Sequence, residues 1–169
     1  MDKKKNKEIN LFSLILKDES SGLNVEGDND IYWILKGVDS PIKSNKDEPE
    51  LLIYVKFKGQ VNLTKILIDS KAKEEDNKPD IVKLFSNSSN MDFSFAESSP
   101  GTEAIKLEGK FNTKLSLNLP KFRKISELVL YFNREEAEYI QLDSIQFYGT
   151  VADELFNVGD MKKRKEGKV

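Results

Sequence analysis

The stretch PDIVKLFSNSSNMDFSFAE, residues 79–97, holds the pattern that decides the fold. Val82 and Leu84 lie on one face of a short predicted strand and Phe85 lies on the other, so the strand can bury both faces. A turn-forming run, SNSSN, follows it. The chain then returns towards the core, with Phe93 predicted to fill it. The stretch predicts a strand, a polar turn and an aromatic plug, the apolar hub of a β-sandwich.

Upstream of this hub, residues 51–57 alternate apolar side chains on one face and form the clearest strand of the chain. Gly59-Gln60 predicts a turn after it. A further strand is predicted over residues 61–69, where the apolar positions change from odd to even numbers. This change of phase predicts a β-bulge near Thr64-Lys65.

Downstream of the hub, strands are predicted over residues 104–107, 114–119, 125–132 and 139–150. The last of them also changes phase, which predicts a second bulge near Asp143-Ser144. The strands recur about every ten residues, and no long helical pattern interrupts them. The fold class is therefore all-β, an antiparallel β-sandwich or jelly roll.

The length of 169 residues suits one domain. We predict a β-sandwich over residues 9–150, a disordered basic N-terminus at 1–8 and a flexible basic tail at 151–169. The net charge of −2 hides an uneven distribution, because both ends are basic and the body between them is acidic. A nucleic-acid-binding face needs basic folded surface with interleaved aromatic residues, so we predict no nucleic-acid partner.

The chain contains neither Cys nor His. This composition excludes thiol chemistry, thiolate zinc sites and the usual general base of a hydrolytic triad. The acidic run at residues 74–76 lies in a Lys-rich loop and is typical of solvated surface. No carboxylate pair stands out as catalytic. We expect no enzyme activity and no cofactor.

Two short motifs near residue 30 leave alternatives open. Asp28 and Asp30 are candidate oxygen ligands for a hard cation, but a solvated turn or a helix cap is the commoner role of such a pair. Asp30 would cap a helical turn that ends at Gly37. Tyr32 and Trp33 would stack on a sugar or peptide if exposed; a lone Trp in an apolar run more often lies in the core, which is our expectation.

Residues 11–16 are too short and too polar for the apolar segment of a signal peptide, and no run approaches a membrane span. We therefore expect a location in the cytoplasm, the nucleus or both. The cluster Lys162-Lys163-Arg164-Lys165 resembles a nuclear localisation signal, although such runs are common by chance.

Taken in order, several segments resemble the PITH domain. They are the strand at 51–57, the block Pro79-x-x-Val82-Lys83-Leu84-Phe85, Met91-Asp92-Phe93 with Ala96-Glu97, Lys121-Phe122, and Ile145-x-Phe147-x-Gly149-Thr150. The resemblance covers about residues 9–165. Two features depart from the family pattern: Val151 replaces the usual Pro after Gly-Thr, and the acidic segment expected before the first clear strand is Lys-rich.

The resemblance implies a galactose-binding-like jelly roll that associates with the regulatory particle of the 26S proteasome without catalysis. Asp92 and Phe93 are the residues most diagnostic of the family, but we expect their roles to be structural, with Phe93 filling core and Asp92 accepting from turn amides. Because the chain has no Cys-x-x-Cys and no preceding thioredoxin domain, we expect a free-standing, redox-inactive form. We expect a monomer, and we place one partner contact on the tail at Met161, Lys162, Lys163, Arg164 and Lys165. The alternative function is an intracellular module that binds carbohydrate or another small ligand through Tyr32 and Trp33.

Overall fold

The structure is a computed structural model that describes residues 7–38 and 40–152. Its helices are α1 (Tyr32–Lys36) and α2 (Phe93–Ser98), and short 3-10 helices lie between strands. The strands are β1 (Ile9–Asn10), β2 (Ser21–Leu23), β3 (Ile42–Lys43), β4 (Glu50–Asp69), β5 (Ile81–Ser86), β6 (Glu103–Lys106), β7 (Lys114–Ser116), β8 (Ile125–Asn133), β9 (Gln141–Leu142) and β10 (Ser144–Val151).

All strand pairings are antiparallel. One sheet runs in the order β1-β10-β4-β8-β5-β6, with β2 and β7 also paired to β4, and β3 pairs with β9 separately. The first half of β4 pairs with β2 and β8, whereas its second half pairs with β7 and β10. The sheet therefore curls around one core, and the all-β sandwich predicted from the sequence is confirmed.

The predicted turn at Gly59-Gln60 is wrong, because β4 continues through these residues as a single strand. The pairing with β8 passes from Lys56 opposite Glu127 to Val61 opposite Ile125, so the chain is irregular between these points. Here β4 leaves one half of the sandwich and enters the other. Gly59 has open space around it, which suits an exposed crossing as well as a turn.

The β-bulge predicted near Thr64-Lys65 is confirmed. Lys65 lies opposite Tyr148 and Leu63 lies opposite Gly149, so Thr64 is the extra residue in β4. Its hydroxyl donates to the Tyr148 carbonyl at 3.1 Å. The extra residue moves the inward face from odd to even positions, and Ile66 and Ile68 are buried for this reason.

The second predicted bulge is wrong. The chain instead changes sheets at Asp143, with β9 paired to β3 before it and β10 paired to β4 after it. The buried Asp143 carboxylate accepts hydrogen bonds from the Lys71 N–H at 2.7 Å and the Gln141 amide at 3.0 Å. These hydrogen bonds stabilise the corner between the end of β9 and the start of β10. The predicted strand at 114–119 is also shorter, since β7 ends at Ser116 and a 3-10 helix occupies Leu119–Phe122.

The main core lies between the two halves of the curled sheet, and the rings of Phe57 and Phe147 meet edge to face at 5.9 Å within it. Of the predicted ends, residues 1–6 and 153–169 lie outside the described residues. Glu8 contacts the sheet through Thr64 at 2.8 Å, and the Ala152 N–H donates to the Gln60 carbonyl at 3.0 Å. No helix within residues 7–38 and 40–152 is long and apolar enough to cross a membrane.

Candidate protein-binding surface

A second apolar layer covers the outer face of β4, β5 and β8, on the side away from the main core. Tyr131 lies opposite Leu52 on β4, and Val129 lies opposite Phe85 on β5. All four side chains are buried, together with Ala96 of α2. The sequence predicted two buried faces for β5, and the burial of Leu84 inside and Phe85 outside confirms it.

The segment after β5 builds this layer as a helix, which the sequence analysis missed. The Asp92 carboxylate accepts a hydrogen bond from the Phe95 N–H at 2.8 Å and caps the N-terminus of α2. Phe93 is only half-buried and meets the Tyr131 ring at 6.4 Å. The prediction that Phe93 fills the main core is therefore wrong, whereas the structural role expected for Asp92 is confirmed. An acidic cap before a short apolar run was the available signal.

Lys83 fastens the other end of α2 to the sheet. Its ammonium donates to the carbonyls of Ala96, Glu97 and Ser99 at 3.1, 2.7 and 2.8 Å. It also lies 5.7 Å from the centre of the Tyr131 ring. Carbonyls at a helix C-terminus lack intrahelical donors and carry negative partial charge, so a cation there stabilises the helix. Asp92 and Lys83 together hold α2 against the outer face.

Between β2 and the segment that precedes α2, part of the apolar layer stays open as a groove of about 340 Å³. We call it the outer groove. Leu23 and Met91 stand on its opposite sides, and Leu23 is 50% exposed. A second depression shares Met91 with it and reaches Phe95, which is 55% exposed. Residues lining the outer groove are Ser21, Leu23, Leu52, Ile53, Tyr54, Ser89, Asn90, Met91 and Val129.

Two tyrosines of this outer layer, Tyr54 in the groove lining and Tyr131 buried beneath it, are held protonated. The Tyr54 hydroxyl donates to the Glu127 carboxylate, and burial together with this carboxylate raises the pKa of Tyr54 to about 12. The Tyr131 hydroxyl donates to the Glu50 carboxylate at 2.9 Å, and burial is again the main cause of its raised pKa. The phenols therefore add no charge to the surface near neutral pH.

The outer groove thus offers apolar side chains, the neutral phenol of Tyr54 and a polar rim of Ser89 and Asn90. Partly exposed leucine, methionine and phenylalanine on a fixed support are suited to bury against a partner protein. In the described part of the chain, no three Asp, Glu, His or Cys side chains lie close enough to hold a metal ion.

The residues singled out in the sequence lie elsewhere. Asp28 is exposed, and the Asp30 carboxylate accepts a hydrogen bond from the Tyr32 N–H at 2.9 Å at the start of α1. Gly37 ends α1 in the left-handed conformation with φ of 87°, as predicted. The predicted partner contacts Met161, Lys162, Lys163, Arg164 and Lys165 lie outside the described residues.

Trp33 lies on the surface, 41% exposed, so the expectation that it belongs to the core is wrong. Ile34 and Leu35 are the members of α1 that are buried. The Trp33 ring packs edge-on against Tyr32 at 4.9 Å. The Lys17 ammonium lies 4.5 Å from the centre of the Tyr32 ring, and so covers one face of it.

Comparison with known proteins decides the family. The model of the PITH domain matches residues 1–166. The chain belongs to the PITH domain family. A PITH domain-containing protein of Drosophila melanogaster is 28% identical to this PITH domain over 132 residues, or 74% of the chain. The match spans 61% of the length of that relative.

Solved structures place this PITH domain among galactose-binding-like jelly rolls, as the resemblance implied. The family 32 carbohydrate-binding module of C. perfringens NanJ, in complex with galactose, gives a TM-score of 0.57 at 8% identity, over 84% of this chain and 99% of that module. A fucolectin from striped bass serum, Morone saxatilis, gives 0.59 at 11% identity, over 85% and 49%. An F5/8 type C domain from Bacteroides fragilis gives 0.53 at 11% identity, over 82% and 97%. At these identities the similarity establishes the fold alone.

Proposed function

We propose that the protein is a non-enzymatic binding module that associates with the regulatory particle of the 26S proteasome through its outer groove and the adjoining depression at Phe95. Membership of the PITH domain family supports the choice of partner. The observation that carries the choice of surface is the half-exposed Leu23 and Phe95 on either side of Met91. Nothing in the mechanism needs His or Cys, which the chain lacks.

The surface suits binding because it is built before the partner arrives. Asp92 and Lys83 fix both ends of α2, so Phe95 is presented on a short, doubly anchored element. Anchor side chains that are already positioned lose less conformational entropy on association. Phe95 would serve as the central anchor, with Leu23 entering a neighbouring depression of the partner.

Met161 and the basic residues Lys162, Lys163, Arg164 and Lys165 are proposed as a second, weaker contact. A weak second contact on the same chain raises the overall affinity by increasing the effective concentration of the first. The two contacts lie on separate parts of the chain, so each can be removed by itself.

The test is co-sedimentation of purified protein with intact 26S proteasome. The variants are Leu23→Asp combined with Phe95→Asp, a chain ending at Ala152, and Val151→Asp as control, since Val151 is equally exposed at the far end of β10. We expect the double variant to lose binding, the shortened chain to bind more weakly and the control to bind normally. Binding by the double variant would overturn the groove as the contact. Absence of binding by the full chain would overturn the proteasome as partner.

A carbohydrate-binding function is the second candidate, favoured by the exposure of Trp33 beside Tyr32. Indole rings stack on the apolar faces of sugars, but the Lys36 ammonium lies 5.9 Å from the centre of each ring. A glycan array probed with wild type and Trp33→Ala tests this candidate. Glycan binding that Trp33→Ala abolishes would support it, and the absence of any bound glycan would remove it.

A further inference from the structure

The free edge of β6 faces a groove that the proposed function does not use. Among the described strands, β6 pairs only with β5. The Leu107 N–H donates to the Asp80 carbonyl at 3.0 Å, in register with the pairing of Lys106 opposite Ile81. Backbone groups alternate sides along a strand, so those of Ala104 and Lys106 point away from β5. They are available to another strand.

A second free edge faces the same groove. The Leu117 N–H donates to the Thr64 carbonyl at 2.9 Å, in register with Ser116 opposite Lys65. By the same alternation, the backbone groups of Lys114 and Ser116 point away from β4. We call the space between β6 and β7 the edge groove, and its volume is about 460 Å³. Residues lining it are Glu103, Ala104, Ile105, Lys106, Lys110, Lys114, Leu115 and Ser116.

The edge groove is positively charged. Lys106, Lys110 and Lys114 are exposed, and none forms an ion pair with a described residue. The Lys114 ammonium lies 4.1 Å from the centre of the Tyr148 ring of β10, across β4, so Lys106 and Lys110 supply the charges nearest to β6. Glu103 is the acid in the lining, and its carboxylate accepts a hydrogen bond from the Asn118 N–H at 3.1 Å.

We propose that the edge groove binds an extended acidic peptide segment of a partner protein by strand addition to β6. Main-chain hydrogen bonds to Ala104 and Lys106 would supply the pairing, and carboxylates at alternate positions would face the lysines. Edge lysines also discourage pairing with neutral or basic strands, which protects a free edge from self-association. The same residues therefore select the charge of the strand that pairs.

This inference is independent of the outer groove, because the lining residues of the two sites do not overlap. Its test therefore needs no proteasome. The probe is a fluorescently labelled octapeptide of alternating glutamate and valine, measured by fluorescence anisotropy. Two matched peptides serve as controls: one with lysine in place of glutamate, and one acidic peptide N-methylated on every residue so that neither edge can donate hydrogen bonds.

We expect the acidic peptide alone to bind, and to bind more weakly as salt rises. Hydrogen exchange should slow at the Ala104 and Lys106 amides when it binds. Lys106→Glu combined with Lys110→Glu should weaken binding about tenfold or more, since each reversal replaces an attraction with a repulsion. The matched control is Lys58→Glu combined with Lys121→Glu, which makes the same change of charge at exposed positions outside the lining and should leave binding unchanged.

Equal binding of the N-methylated peptide would show electrostatic attraction without strand pairing and would overturn the proposal. Failure of the acidic peptide to bind, or protection confined to amides outside β6 and β7, would also overturn it. Ala104→Pro adds a direct test, because proline removes the outward N–H without removing a bond to β5. If that variant fails to fold, the N-methylated peptide on the wild-type protein still decides the matter.

Discussion

Gly149 and Asn62 approach each other so closely that a Cβ on Gly149 would lie 1.9 Å from the Asn62 carbonyl oxygen. The approach occurs where β10 passes the bulge in β4, with Gly149 opposite Leu63. The oxygen belongs to the backbone of a central strand and cannot move aside as a flexible side chain can. Position 149 therefore requires glycine, because any side chain would clash with the Asn62 carbonyl oxygen.

Gly149→Ala should destabilise the fold by about 2–3 kcal/mol, because β10 must separate from β4 to admit the methyl group. Gly59→Ala is the matched control, since nothing lies within 4 Å of a Cβ there. It should change the free energy of unfolding by less than about 0.5 kcal/mol. Urea denaturation of both variants measures the difference, and equal stability would contradict the close approach.

Lys83→Met should loosen α2, because three carbonyls lose the ammonium that they share. We expect a loss of about 1–3 kcal/mol in stability. Amide hydrogen exchange should also rise in α2 more than in β8. Lys58→Met, at an exposed position of β4, should change neither quantity. Unchanged exchange in α2 of Lys83→Met would show that the helix holds its place by packing alone.

Asp92→Ala should weaken the opposite end of α2 by about 1 kcal/mol, the usual effect of losing an N-cap. Asp92→Asn should retain most of the stability, because its amide oxygen can still accept from the Phe95 N–H. Urea denaturation of the two variants checks this order. If both lose the same stability, the carboxylate charge rather than the hydrogen bond would be responsible.

The raised pKa of Tyr54 predicts that the folded state loses stability at alkaline pH. Its pKa is raised from 10.0 to about 12 by burial and by the Glu127 carboxylate. The unfolded chain therefore releases this proton first as pH rises, and the stabilisation present below pH 10 is lost between pH 10 and 12. Tyr54→Phe should show a shallower decline over this interval. Parallel curves for the two proteins, measured by denaturation at each pH, would contradict the raised pKa.

Leu23→Asp combined with Phe95→Asp should leave the stability within about 1 kcal/mol of wild type, because both side chains are half or more exposed. Thermal denaturation checks this point, and it ensures that lost proteasome binding reflects the surface rather than unfolding. A large loss of stability would mean that Leu23 and Phe95 support the outer layer instead of serving a partner.

Several features of this protein follow from local sequence. Strand periodicity gave the all-β class, and the change from odd to even apolar positions located the bulge at Thr64. Gly37 ends α1 because glycine adopts the left-handed backbone conformation at a lower energetic cost than other residues do. Each of these features depends on residues that are close together in the chain, so each can be predicted from the sequence.

The outer groove could not be predicted from local sequence. Leu23 and Met91 are far apart in sequence and meet across the outer face only because β2 and β5 lie on opposite sides of the β4 and β8 pair. The exposure of Phe95 was not predicted either, because a short run with two aromatic residues, Phe93 and Phe95, does not show which of them is buried. The missed cap at Asp92 is the one local signal that pointed to a helix here.

The sequence by itself determined where β5 and β8 form, which of their faces are apolar and where the bulge in β4 falls, because side-chain alternation and local steric preference act over a few residues. Only the tertiary structure decided that Gly59-Gln60 crosses between the two halves of the sandwich, that Asp143 is a corner, and that β6 and β7 present free edges to one groove. An exposed glycine segment satisfies its backbone equally well in a turn or a crossing, so distant strands choose between them.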